Sequence, residues 1–124
     1  MGNFRVLVVE DDVDSMTLLR LALRELPLEI YHAGTGGEAV AYLDRTHPDL
    51  VFIDLNLPDM RGWEVVERLK TAALAKRTRI IVLTAHAEPV NRLIGNLQPI
   101  TAYLNKPVPQ DRLRAAVREA LSLA

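Results

Sequence analysis

At 124 residues, 49% of them apolar and 25% charged, the chain has the length for one hydrophobic core and the composition of an ordinary globular domain. Fifteen Lys and Arg against sixteen Asp and Glu leave a net charge of -1, so no whole-molecule field selects nucleic acid or an anionic membrane, and recognition has to be local. The absence of cysteine excludes disulfides, thiolate metal sites and thiol catalysis. The purely aliphatic runs, Val6-Leu7-Val8-Val9 and Ile80-Ile81-Val82-Leu83, are only strand-length, and no charged-then-apolar leader opens the chain, so the expected location is the cytoplasm.

Short apolar runs alternate with stretches of helical periodicity, the pattern of repeated β/α units around a parallel sheet, and five units are expected. The first strand is read over Arg5 to Val9. A helix follows from about Asp14 to Leu26, with Leu18, Leu19, Leu21, Ala22 and Leu26 as its apolar face and Pro27 as its terminator. After a second strand, Glu29 to Ala33, Thr35 and Glu38 have the spacing of a capping box, opening a helix with Ala39, Val40 and Leu43 as its buried stripe. The third strand is Leu50 to Asp54, and the third helix runs from about Gly62 to Lys70 with Val65, Val66 and Leu69 inward. A fourth strand, Ile80 to Thr84, precedes the weakest helix, Glu88 to Leu97. Pro89, Gly95, Asn96 and the following Pro99 predict that this helix is short or frayed. A fifth strand over Ala102 to Asn105 leads to a last helix with Pro109 at its first position and Leu113, Val117, Ala120 and Leu121 inward. Strands one, three and four are the most continuously apolar and belong at the centre, covered on both faces. With no linker, low-complexity tract or further repeat, residues 1–124 read as a single domain without an output domain.

In an open parallel sheet, ligands bind beyond the carboxyl ends of the strands. There the sequence places Glu10-Asp11-Asp12 after strand one, Asp54 after strand three, Thr84 after strand four and Asn105-Lys106-Pro107 after strand five. Carboxylates gathered on one rim repel and raise one another's pKa unless a cation joins them, which favours a hard divalent ion such as Mg²⁺. A carboxylate at the bottom of such a cleft can attack phosphorus, with the cation, the Lys106 ammonium and the Thr84 hydroxyl stabilising the transferred charge.

The segments Val8-Val9-Glu10-Asp11-Asp12, Asp54-Leu55-Asn56-Leu57-Pro58-Asp59-Met60-Arg61-Gly62, Leu83-Thr84-Ala85 and Tyr103-Leu104-Asn105-Lys106-Pro107 resemble the response-regulator receiver family, in its order and with its spacings. The resemblance runs from Arg5 to the last helix. It implies an α/β, flavodoxin-like (βα)5 fold with a five-stranded parallel sheet in the order 2-1-3-4-5. It also implies that Asp54 is the phosphoacceptor, that Glu10 and Asp11 form the acidic pair with Asp11 the more direct metal ligand, and that the Asn56 backbone carbonyl completes the protein's share of a Mg²⁺ site. Thr84 would hydrogen-bond the phosphoryl group, Lys106 would pair with it, Pro107 would follow a cis peptide that aims Lys106, and Tyr103 would be the aromatic that turns inward with Thr84. Asn56 and His86 occupy the positions that set phosphoryl lifetime in the family.

Other polar residues carry plainer readings. Asp12 is expected to cap the first helix, His32 and His47 lack partners at metal-binding spacing, and Lys70, Lys76, Arg77 and Arg79 read as a solvated basic stretch without interleaved aromatics. Trp63 is expected in the core or partly buried beside it. Where the family usually has a small-residue turn, this chain reads Leu97-Gln98-Pro99-Ile100-Thr101, which predicts an unusual fourth helix and output surface.

The expected function is therefore that of a phosphoacceptor module in a two-component system or phosphorelay. It would receive its phosphoryl group from a histidine kinase or histidine phosphotransfer protein and switch a surface for a downstream protein, without direct nucleic-acid or membrane contact. It would be a monomer or a phosphorylation-dependent dimer, with Arg112, Arg118 and Glu119 available to pair across an interface or to stay solvated. It would catalyse only its own phosphorylation and dephosphorylation, and so is not expected to be an enzyme. The competing reading is a phosphorylation-independent interaction module on the same fold, against which the complete acidic set with Thr84 and Lys106 counts. A metal-dependent phosphatase is disfavoured because the sequence offers no substrate site beyond the strand-end rim.

Overall fold

The computed structural model describes residues 3–71, 77–85 and 89–123. Its elements alternate: β1 (Phe4–Val9), α1 (Val13–Leu23), β2 (Leu28–Ala33), α2 (Gly36–Leu43), β3 (Leu50–Ile53), α3 (Gly62–Thr71), β4 (Arg79–Thr84), α4 (Pro89–Asn96), β5 (Ala102–Asn105) and α5 (Gln110–Ala120). The strands form one parallel sheet in the order β2-β1-β3-β4-β5, with Val9 beside Ala33 and Ile53, Ile53 beside Val82, and Thr84 beside Asn105. As expected, β1, β3 and β4 are central and their apolar runs are buried. Among the described residues no helix is long and apolar enough to cross a membrane.

Side-chain alternation along the strands divides the core into two layers. Leu7, Val9, Val51, Ile53, Ile80 and Val82 pack with Ala39 and Leu43 of α2 and Val65, Val66 and Leu69 of α3. Val6, Val8, Leu50, Phe52, Ile81 and Leu83 face the other way, onto α1 and α5. Each central strand is thus apolar on both faces, so its first polar residue marks where it leaves the core.

Several local expectations need correction. The α1 helix ends at Leu23 rather than Leu26, and its buried stripe is Met16, Leu19, Ala22 and Leu23, while Leu18 and Leu21 are exposed. The leucine-rich run covers a wider arc than one packed helix face can bury, and Met16 and Leu23 complete the stripe at helical spacing. Leu26 precedes Pro27, which disfavours helical backbone there, and the chain turns so that the Pro27 carbonyl accepts from Phe4 N at 2.9 Å. Thr35 caps α2 through Glu38 N at 3.0 Å, but the Glu38 carboxylate reaches back to Gly34 N rather than Thr35 N, so the capping box is displaced by one residue. Pro109 is the N-cap of α5, one residue before its expected place.

The fourth helix is short, as predicted, over Pro89–Asn96; its expected first residue, Glu88, lies outside the described residues. Trp63 is buried, and its indole N–H donates to Asn91 Oδ1 at 3.2 Å, tying α3 to α4. Gly95 has a packing reason. A Cβ there would meet Tyr103 Cδ2 at 3.2 Å, Ile100 Cδ1 at 3.3 Å and Trp63 Cη2 at 3.5 Å, so its bare backbone receives the side chains that join α4 to the sheet.

Gly62 is more constrained, because a Cβ would lie 2.4 Å from the Asp54 carbonyl oxygen and 2.8 Å from Leu55 Cα, both backbone atoms. Gly62→Ala should therefore lower stability by about 1–3 kcal/mol, the usual cost of overpacking. Gly95→Ala crowds movable side chains and gains about 1 kcal/mol of helix propensity, so its change should be smaller. Urea unfolding of both variants checks this ordering, and equal losses would contradict it.

Candidate functional site

The polar residues that end the strands meet on one rim. Glu10 follows β1 and Asp54 follows β3; backbone N–H groups hold them in line, Glu10 N to Ala33 O at 2.9 Å and Asp54 N to Val9 O at 3.0 Å. Thr84 closes β4 and is fully buried, and Lys106 N donates to the Thr84 carbonyl at 2.8 Å just beyond β5. Sheet register therefore delivers side chains from four strands to one place.

Asp54 is 8% exposed. Its Oδ1 accepts from Thr84 Oγ1 at 3.1 Å and from Asn56 N at 3.0 Å, while its Oδ2 accepts from Lys106 Nζ at 3.1 Å. Lys106 Nζ also donates to Ser15 Oγ at 3.2 Å and forms a close ion pair with Glu10 Oε1. Glu10 is buried, and its other carboxylate oxygen accepts from Asp12 N at 3.2 Å. The Lys106–Pro107 peptide is cis, as the sequence resemblance implied.

Burial pushes the Glu10 carboxyl above the usual carboxylate range, against the lowering effect of its hydrogen bond from Lys106, while the Asp54 charge adds to the rise. Burial works to lower the Lys106 ammonium's pKa, but Glu10 and Asp54 together raise it above the ordinary lysine value. Lys106 thus stays charged and acts as internal counter-ion to both buried carboxylates.

One ammonium does not balance the acidic rim. Glu10, Asp11 and Asp54 each offer a carboxylate oxygen, and these lie within 4.8 Å of one another. Three carboxylates facing one ammonium leave negative charge that an oxygen-seeking cation would neutralise, and the all-oxygen donor set suits Mg²⁺ or Ca²⁺ rather than a softer metal. Exposed Asp11 stands on the solvent side of the cluster, open to an arriving ion. The residues present therefore fit a hard divalent cation.

The remaining candidates sort as follows. Asp12 caps α1, accepting from Asp14 N at 3.1 Å and Ser15 Oγ at 3.0 Å, bonds that hold its carboxyl below the usual range. Asn56 has an exposed side chain, and its backbone pairs with Arg61 in an isolated antiparallel bridge. Tyr103 on β5 is half-buried, with the Arg92 guanidinium 4.6 Å above its ring. His86 lies outside the described residues, as does Lys76. His32 is exposed, and its Nε2 meets the Glu10 carbonyl at 2.6 Å; that oxygen can only accept, so Nε2 carries the hydrogen.

Sequence reasoning missed Ser15, although its place one helical turn beyond Asp12 was a readable signal. It also missed the nature of the Lys106 environment. A cleft of about 340 Å³ opens beside this lysine between α1 and α5, with Ser15, Leu18, Pro107 and Val108 in its walls. Leu18, exposed on α1, stands in its wall rather than in the core.

Residues 6–118 match the response regulator receiver domain family. The regulatory protein LuxO of Vibrio cholerae is 33% identical over 117 residues, which are 94% of this chain and 25% of that protein. The chain thus spans about a quarter of the length of that relative. A CheY-like response regulator receiver domain protein from Methanospirillum hungatei superposes with a TM-score of 0.89 at 27% identity, over 98% of this chain and 95% of that one. The receiver domain of the sensor histidine kinase PA1611 from Pseudomonas aeruginosa, whose structure has a magnesium ion coordinated in its active-site cleft, superposes with a TM-score of 0.86 at 25% identity, over 98% and 99% of the two chains. Family match, sheet order and strand-end cluster agree, and the chain belongs to the response regulator receiver domain family.

Proposed function

We propose that Asp54 accepts a phosphoryl group from a phosphohistidine on a kinase or phosphotransfer protein, and that the resulting aspartyl phosphate switches a protein-binding surface. The observation that carries this reading is the way Asp54 is held: nearly buried, with Thr84, the Asn56 amide and Lys106 all donating to its carboxylate. In the transfer a carboxylate oxygen of Asp54 bonds to phosphorus, the phosphorus–nitrogen bond breaks, and the imidazole leaves with its electron pair and takes a proton. Lys106 and Thr84 both donate to the Asp54 carboxylate, which supports their roles as the ammonium and hydroxyl donors to a phosphoryl group carried there.

Mg²⁺, held by Glu10, Asp11, Asp54 and the Asn56 carbonyl, would supply further charge neutralisation at the phosphoryl oxygens. The metal in the PA1611 receiver and the three clustered carboxylates support this choice. The hydroxyl of Thr84 then exchanges its bond to Asp54 for one to the phosphoryl group, and Tyr103 turns inward in step, changing the surface that α4 and β5 present. The family resemblance assigns the tuning of the phosphoryl group's lifetime to Asn56 and His86. The protein catalyses no other reaction, works in the cytoplasm, and hands its signal to a partner protein rather than to nucleic acid or membrane.

Intact-mass analysis after incubation with a small phosphoryl donor tests the reading. The wild type should gain the mass of one phosphoryl group only when Mg²⁺ is present, and Asp54→Asn should gain none. A wild type that remains unmodified with Mg²⁺ and donor would favour the phosphorylation-independent interaction module.

Lys106→Met should slow phosphorylation by about 10²–10³-fold, the scale expected for removing one electrostatic donor from a transferred charge. Because the folded protein raises the Lys106 pKa, the stabilisation from its ion pairs is fully present below the ordinary value of 10.5 and is lost as pH rises through the folded value. Denaturant titrations across the alkaline range should show this loss in the wild type and not in Lys106→Met.

A further inference from the structure

The β3–α3 loop, residues 54–62, has Asp54 at one end and Gly62 at the other, with Asn56 between them. Its ends are closed by Gly62 N donating to the Leu55 carbonyl at 3.0 Å and by the Asn56–Arg61 bridge. The tip is held from outside. Asp59 Oδ1 accepts from Gly36 N at 2.8 Å and Asp59 Oδ2 from Gly37 N at 2.9 Å, so one carboxylate spans two amides of the first turn of α2. Thr35 Oγ1 accepts from Glu38 N, and the Thr35 carbonyl accepts from Ala39 N at 3.1 Å. The Ala39 bond is the first of the helix itself, and the other three serve amides that α2 leaves without intrahelical partners, two of them through a residue more than twenty positions away.

The fit depends on missing side chains. A Cβ at Gly36 would fall 2.3 Å from Met60 Cγ, and one at Gly37 would lie 3.3 Å from Asp59 Oδ2. The paired glycines let the loop tip lie directly on the helix end. Negative charge at a helix N-terminus is favoured, and the two amides hold the Asp59 carboxyl below the usual range. Arg61 N is tied as well, donating to Glu64 Oε2 at 2.8 Å.

We infer that Asp59 is a positioning residue for the phosphorylation site: by clasping the loop tip to α2 it fixes the Asn56 carbonyl in the place a divalent cation requires. The inference rests on the reading of Asn56 as a metal ligand given above. Asp59 touches neither metal nor phosphoryl group, and acts through the loop backbone. Gly37 is exposed, so its amide can turn to water when the carboxylate is removed, whereas Gly36 is buried beneath Met60 and its amide would lose its partner.

The test compares wild type, Asp59→Ala, Asp59→Asn and Asp11→Asn by Mg²⁺ titration calorimetry, and follows amide hydrogen exchange at Asn56 and Gly62 in metal-free protein. Asp59→Ala should weaken Mg²⁺ binding by about tenfold, the lower end of what loss of a ligand-orienting partner costs. Its amides at Asn56 and Gly62 should exchange faster, while those of β1 and β3 keep their protection. Asp59→Asn retains one acceptor oxygen and should fall between wild type and alanine in both measurements. Wild-type affinity in Asp59→Ala with unchanged exchange would overturn the inference while leaving the metal site intact. Failure of the wild type itself to bind Mg²⁺, or undiminished binding in Asp11→Asn, would overturn the metal-site reading and this inference with it. Faster exchange throughout the sheet in Asp59→Ala would make Asp59 a fold-stabilising residue and overturn its positioning role.

Discussion

The site depends on one electrostatic constraint, which is that Glu10 and Asp54 are buried side by side with Lys106 between them. At a separation below 4.8 Å and an effective dielectric of about 20, two carboxylates repel by roughly 3–4 kcal/mol. Lys106 offsets that repulsion, and burial of the group is tolerable because the lysine, Thr84 and two backbone amides satisfy the carboxylate oxygens. The same arrangement holds the Asp54 carboxylate against its donors. A site of this kind is held together by the charges that also make it reactive toward phosphorus.

The sheet supplies the precision. Central strands with two apolar faces cannot slip by one residue without turning their side chains to the opposite layer, so the first polar residue after each strand has a fixed address. Glu10 and Asp54 leave neighbouring strands through amides paired to Ala33 and Val9, and Lys106 is fixed by its own amide on Thr84. Functional geometry here is the end point of strand register. The helices contribute by filling the two faces, and α1 also contributes Ser15 beneath the ammonium.

How much was legible in the sequence follows from how local each signal is. The β1, β3 and β4 runs were readable because a strand buried on both faces is apolar throughout, and Glu10, Asp54, Thr84 and Lys106 stood out where that pattern stops. The packed face of α1 was not readable from its leucines, since Leu18 and Leu21 stay exposed while Met16 and Leu23 go inside. Gly95 read as a helix breaker, whereas in the fold it is the space that Tyr103 and Ile100 occupy. The contact of Asp59 with Gly36 and Gly37 was invisible because an aspartate after proline reads as a turn residue, and nothing local signals a partner in another β/α unit.

The central claim is that the strand-end aspartate, and no other carboxylate of the cluster, carries the phosphoryl group. The direct measurement is site mapping: phosphorylate the protein in the presence of Mg²⁺, trap the acyl phosphate by borohydride reduction, and locate the reduced residue by tandem mass spectrometry. The account predicts a single modified residue, Asp54, which becomes homoserine. Reduction at Glu10, Asp11 or Asp12 with Asp54 untouched would contradict it.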